Sequence, residues 1–205
     1  DITYLSTLPN FVVMAASDEA ELVRMINTSV NINDRPSAFR YPRGNGTGVQ
    51  LPDIKETLKI GEGKIITQGK HIAILNFGAR LNECKKASEN LEKKGITTTI
   101  FDARFAKPLD DKAIIELASS HEVILTIEEG SIGGFSAQVM SYLSKEGLLD
   151  NGLKFRPLFF PDEFLPHGKP DVQNEQCGVN SSSITNCVLT ALGLSSITRE
   201  SRVTA

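Results

Sequence analysis

Ser37-Ala-Phe-Arg-Tyr-Pro-Arg-Gly44 decides how the rest of the chain is read. Ser37, Phe39 and Tyr41 alternate with Ala38 and Arg40, the two-residue period of a strand, and the stretch reads as a buried one. Pro42 has no N–H to give a ladder, so the strand must stop there. Arg43 and Gly44 then stand just past a carboxyl end, where open α/β sheets present ligands. A guanidinium is a planar fork of donors suited to phosphate or carboxylate, and Gly44 and Gly46 permit a sharp turn or close approach. Arg43 is the prime candidate for ligand contact, weighed against an ion pair that locks the loop. Arg40, inside the strand, is predicted to be buried against a carboxylate.

Upstream, residues 1–8 read as a short helix or loop, and Phe11-Val-Val-Met14 as a strand covered on both faces. Ser17 is placed as the cap of a helix whose first turn carries Asp18, Glu19 and Glu21. Leu22, Val23, Ile26 and Val30 give that helix its apolar stripe. Downstream, Asn45 to Lys59 holds Gly46, Gly48 and Pro52 with little periodicity and reads as a linker. Lys64 to Thr67 is predicted as an edge strand, and Ile72 to Phe77 as a fully buried one. Leu81, Cys84, Ala87 and Leu91 mark a helix stopped by Gly95. Ile96 to Phe101 is the next strand, and Lys112 to Ser119 a helix capped by Asp110 or Asp111. Glu122 to Ile127 is a core strand, followed by a helix with Phe135, Val139, Met140 and Leu143 inward. Lys154 to Phe160 is a fourth core strand, and Asn180 caps a last helix using Ile184, Val188 and Leu192. Strands alternating with helices at this spacing predict an α/β protein with a mostly parallel, doubly wound sheet. The expected division is 1–44, a linker over 45–60, a domain over 61–194 and a mobile tail over 195–205.

The 205 residues are 40% hydrophobic and 23% charged, with net charge −3, the balance of a globular protein. With no basic run, nucleic acid is not expected as a partner. No apolar stretch reaches the roughly 20 residues of a membrane helix. Cys84, Cys177 and Cys187 form no C-x-x-C pair, so they read as buried apolar residues in a reducing, cytoplasmic setting. The chain opens on Asp1 without the character of a domain start, so a C-terminal portion of a longer protein is expected.

Gly130-Ser-Ile-Gly-Gly134 follows a strand and opens a helix, where a dinucleotide phosphate could sit. Its spacing is not G-x-G-x-x-G, which favours tight strand–helix packing. Glu128 and Glu129 stand at the same strand end. Adjacent strand residues face opposite ways, so anchoring hydrogen bonds or an ion pair are favoured over shared acid–base work. His71, His121 and His167 are scattered, with no metal-ligand spacing to acidic residues or cysteines, and a structural place is expected for His167. Asp102, Arg104 and Lys107 follow a strand end and read as solvated loop charges, with interdomain contacts as the alternative.

Five stretches together carry a resemblance: Pro9 to Glu19, Pro36 to Gly44, Asp102 to Asp110, Ser120 to Gly130, and Pro161-Asp-Glu-Phe-Leu-Pro-His-Gly168. Over residues 1–194 the chain resembles the C-terminal third of the 1-deoxy-D-xylulose-5-phosphate synthases, which are transketolase-like enzymes dependent on thiamine diphosphate. The resemblance implies the end of a pyrimidine-binding-type domain followed by a transketolase C-terminal-type domain. It implies a homodimeric parent enzyme that condenses pyruvate with glyceraldehyde 3-phosphate, with loss of CO2, for isoprenoid, thiamine and pyridoxal precursors. It places Arg43 on the phosphate of glyceraldehyde 3-phosphate and Arg40 in structural support. It puts thiamine diphosphate, Mg2+ and the catalytic residues on segments absent here, so that this part alone is expected to be inactive. Competing readings are the β subunit of a 2-oxo acid dehydrogenase, another transketolase-like enzyme, and a non-catalytic assembly domain.

Overall fold

The computed structural model describes residues 1–194; the tail predicted to be mobile lies outside them. Two sheets share the chain. The first has three strands in the order β2-β1-β6: β1 (Val12–Ala15) runs parallel to β2 (Ser37–Arg40) and antiparallel to β6 (Phe105–Lys107). The second has five, in the order β3-β5-β4-β7-β8. Its members are β3 (Lys64–Thr67), β4 (Ile72–Phe77), β5 (Thr98–Asp102), β7 (Val123–Glu128) and β8 (Lys154–Leu158). All neighbours in it are parallel except β3, which pairs antiparallel to β5.

The strand period sorts side chains onto two faces. Ile72 and Ile74 of β4, with Val123, Leu125 and Ile127 of β7, pack under α3 (Leu81–Glu92) and α7 (Ser181–Ala191). Ala73, Leu75, Phe77 and Ile124 pack on the other side against α4 (Asp111–Ser120) and α5 (Phe135–Lys145). Helices on both faces explain why β4 and β7 are buried along their whole length and are dense in apolar residues. Val13 and Ala15 of β1 and Ile2 of α1 (Ile2–Thr7) join that second core. The other side of β1, through Val12, Met14 and Ala16, packs with Met25 of α2 (Glu19–Asn31), Phe105 and Leu58. The sheets therefore share β1 as a common wall.

Several details depart from the sequence expectations. Asp18, not Ser17, caps α2, its carboxylate accepting from the Glu21 amide at 2.8 Å. The inward face of α2 is Ala20, Glu21, Met25 and Thr28, while Ile26 and Val30 are 41% and 74% exposed. Met140 also faces out. β2 is half-buried rather than buried. β8 is an edge strand, half-buried to exposed, not a core strand. That suits Pro157, which an edge tolerates. The stretch read as a loop after Asp102 holds the short strand β6, and α6 (Pro170–Gln176) adds a helix that the sequence reading does not include.

Candidate functional site

Four strands end at one place. Ala15 and Ala16 after β1, Arg40 to Pro42 after β2, Phe77 to Ala79 after β4 and Glu129 after β7 line a single crevice. It spans both sheets at their carboxyl ends, the position ligands take in open α/β folds. Its free space is about 10 Å³, roughly one water molecule, so it is a joint rather than a substrate pocket. The joint is held by charge. The Arg80 guanidinium pairs with the Glu129 carboxylate at 2.7 Å, each side chain 15% exposed. Arg40 donates to the Glu129 main-chain oxygen, and its Nε lies 3.7 Å from the Asp1 carboxylate. Arg40 is thus half-buried and tied chiefly to a carbonyl rather than to the predicted carboxylate.

Arg43 leaves β2 beyond this joint. It is exposed, and it lines neither the crevice nor the second cavity described below. No hydrogen bond or ion pair to Arg43 exists among the described residues. Its loop is pinned further on: the Glu19 carboxylate accepts from the amides of Thr47, Gly48 and Val49 at 2.8, 2.5 and 3.1 Å, and from the Thr47 hydroxyl at 3.0 Å. Those bonds, the Thr47 amide foremost, draw the Glu19 carboxyl down to about 2.

The glycine-rich loop after β7 answers its own phosphate question. Glu128 is 1% exposed, and its carboxylate accepts from the amides of Phe135 and Ser136 at 2.9 and 2.8 Å and from the Ser136 hydroxyl at 2.8 Å. The N-terminus of α5 therefore carries an anion of this chain. A side chain on Gly134 would overlap that carboxylate, so tight packing is the reason for the glycine. Glu128 and Glu129 do face opposite ways, one into a helix end and one into an ion pair.

A second, larger cleft of about 280 Å³ is lined by Ser17, Asp18, Glu21, Arg24, Lys64, Leu81, Lys85 and Asp102, among others. Asp102 is 1% exposed. It accepts from the Ser17 hydroxyl at 2.6 Å and from Asn76 Nδ2 at 3.4 Å. Burial outweighs those two donors and pushes it from 3.8 up to about 6. Arg104 grips Glu21 with two contacts of 2.8 Å, and Lys107 Nζ donates to the carbonyls of Ser6 and Leu8 at 2.9 and 2.5 Å. Asp102 of β5 and Arg104 just after it join Ser17 and Glu21, and Lys107 of β6 holds the end of α1, so none of the three is a solvated loop charge. Sequence reading held such contacts only as its alternative, because Glu21 and Ser6 stand far away in the chain.

His71 is exposed and shares Thr97 through Nδ1; His121 bonds the Thr99 hydroxyl at 2.7 Å; His167 is exposed. Among the described residues no group of His, Cys, Asp and Glu could hold a metal ion. No described helix is long and apolar enough to cross a membrane. Cys84 and Cys177 are buried and Cys187 partly so, and burial raises the Cys84 thiol well above its usual range.

Two solved structures share the fold. A split-gene transketolase, described as an inactive β4 tetramer, superposes with a TM-score of 0.78 at 23% identity, over 94% of this chain and 60% of that one. Transketolase from Campylobacter jejuni subsp. jejuni gives a TM-score of 0.68 at 18% identity, over 92% of this chain and 27% of that one. The chain thus spans at most 60% of either solved chain. The sequence profile of the transketolase C-terminal domain matches residues 61–184, more than half of the sequence, and the protein belongs to that family.

Proposed function

We propose that this chain is the C-terminal part of a thiamine diphosphate-dependent, transketolase-like transferase of the 1-deoxy-D-xylulose-5-phosphate synthase type. In that reading the complete, homodimeric enzyme joins pyruvate to glyceraldehyde 3-phosphate with loss of CO2. The observation that carries it is Arg43: an exposed guanidinium without a partner among the described residues, on a pinned loop, just past the carboxyl end of β2. A dianionic phosphate fits such a fork, at about 1.5–3 kcal/mol per charge-assisted contact. Arg40, held by the Glu129 carbonyl, fixes the start of the loop and does not reach for substrate.

Bound thiamine diphosphate supplies the carbon nucleophile and the electron sink of such a reaction. The residues described do not fit the cofactor's diphosphate or its metal. The two sets of backbone donors suited to an anion are taken by Glu128 and Glu19, and no donor cluster for a cation is present among them. In this reading other segments of the complete enzyme hold the cofactor.

The test is an assay of the complete enzyme. Pyruvate and glyceraldehyde 3-phosphate should be consumed together with release of CO2, and a ketose phosphate should not replace pyruvate as donor. Arg43→Ala should raise the apparent KM for glyceraldehyde 3-phosphate about 10–100-fold and leave that for pyruvate within about twofold. Equal effects on both substrates would remove the phosphate role. Turnover with a ketose phosphate donor would move the protein to the transketolases proper.

A further inference from the structure

The loop between β2 and the linker is fixed at both ends and free in the middle. At its start, the Arg40 carbonyl accepts from the Ala16 amide at 3.0 Å, and its guanidinium is tied to the Glu129 carbonyl. Glu129 is itself clamped by Arg80. At its far end stands Glu19, in the first turn of a helix whose start Asp18 sets. Three successive amides and one hydroxyl converge on that single carboxylate. Successive backbone N–H groups of this kind form a concave anion site, and here the anion belongs to the chain. A Cβ on Gly46 would lie 2.7 Å from Glu19 Oε1, so the carboxylate reaches its seat only over a glycine. Between the two anchors Tyr41, Pro42, Arg43, Gly44 and Asn45 are exposed and make no side-chain hydrogen bond or ion pair among the described residues.

We infer that Glu19 is a positioning residue for substrate phosphate: by filling the backbone nest at 46–49 it holds the loop in the one conformation that presents Arg43. The inference rests on the reading of Arg43 as the phosphate contact. A loop tethered only at Arg40 would have to be ordered each time substrate binds; one tethered at both ends has that cost removed in advance. Pro42 adds to this by fixing its own φ and restricting Tyr41. Glu19 touches no substrate atom. Its effect passes through the main chain to Arg43, and so falls on the phosphate alone.

The test uses the complete enzyme with pyruvate and two acceptors, glyceraldehyde 3-phosphate and unphosphorylated glyceraldehyde. Glu19→Ala should raise the KM for the phosphorylated acceptor about 5–20-fold, with kcat, the KM for pyruvate and the KM for the unphosphorylated acceptor within about twofold. Glu19→Gln, which keeps one carbonyl oxygen, should fall between. The double variant Glu19→Ala/Arg43→Ala should lose little more than Arg43→Ala, since both act on one contact. Hydrogen exchange should show the amides of Thr47, Gly48 and Val49 losing protection in Glu19→Ala and keeping it in Arg43→Ala. Unchanged protection would mean that Glu19 does not hold the nest. Lost protection with an unchanged phosphate KM, or with equal loss for both acceptors, would make the clamp merely structural. If Arg43→Ala separates the two acceptors and Glu19→Ala does not, only this inference falls. If Arg43→Ala fails to separate them, the phosphate reading falls first.

Discussion

The loop that leaves β7 and the loop that leaves β2 are written in similar residues: a charged strand end, then glycines. In both, backbone amides gather round an anion, and in both the anion is a glutamate of the same chain, Glu128 in one and Glu19 in the other. They differ in what is left over. The β7 loop is saturated, with Glu128 seated in a helix end and Glu129 paired to Arg80. The β2 loop keeps one guanidinium, Arg43, in solvent. Glycine next to a strand end therefore says that something approaches closely, but not that it comes from outside. The unbalanced charge is the better guide to a ligand.

Removing the internal anion from the saturated loop should have the largest effect. Glu128→Ala leaves two amides and a hydroxyl without a partner in a buried site and should cost about 3–5 kcal/mol, read as a fall in the thermal-unfolding midpoint; a cost below about 1 kcal/mol would mean that water replaces the carboxylate without loss. Asp102 asks what those donors are worth, being equally buried with fewer of them. Below pH 3.8 both folded and unfolded states hold its proton. Between 3.8 and about 6 only the folded state keeps it, so stability falls as pH rises through that window and stays lower above it. Asp102→Asn should remove that slope, up to about 3 kcal/mol; an unchanged pH–stability curve would show that the carboxylate is better solvated than its burial implies. Arg43→Ala comes next, about 10–100-fold on the phosphate KM and little on stability. Ile132, 69% exposed in the β7 loop, should tolerate Ser at under about 0.5 kcal/mol; a larger loss in the assembled enzyme would mark that loop as covered by another subunit.

Much of the fold was legible because local rules agreed with it. Ile72 to Phe77 and Glu122 to Ile127 are dense in apolar residues and form core strands, and Asp110 and Asn180 stood where caps belong and do cap. What stayed hidden depended on partners distant in sequence. Lys107 reads as a loop lysine until the α1 carbonyls of Ser6 and the following Leu8 arrive to receive it. Arg104 reads as solvated until Glu21 is buried against it. α2 misled because two residues of its expected stripe, Ile26 and Val30, face out, while Glu21 turns inward to meet Arg104. Of the site, the strand-end place of Arg43 was visible in the residues, and the phosphate role proposed for it came by resemblance. The grip of Glu19 was not visible, since nothing local marks which amides a first-turn glutamate will reach.

The short strand β6 has a mechanical meaning. It continues from the end of β5 and is stitched onto β1, so the two sheets are sewn along a shared seam. Prising them apart would tear the main-chain bonds between β1 and the β5–β6 segment. Little in this part of the molecule can move as a body, and at the β2 end what stays free is the Arg43 side chain, carried on a loop tied down at both ends.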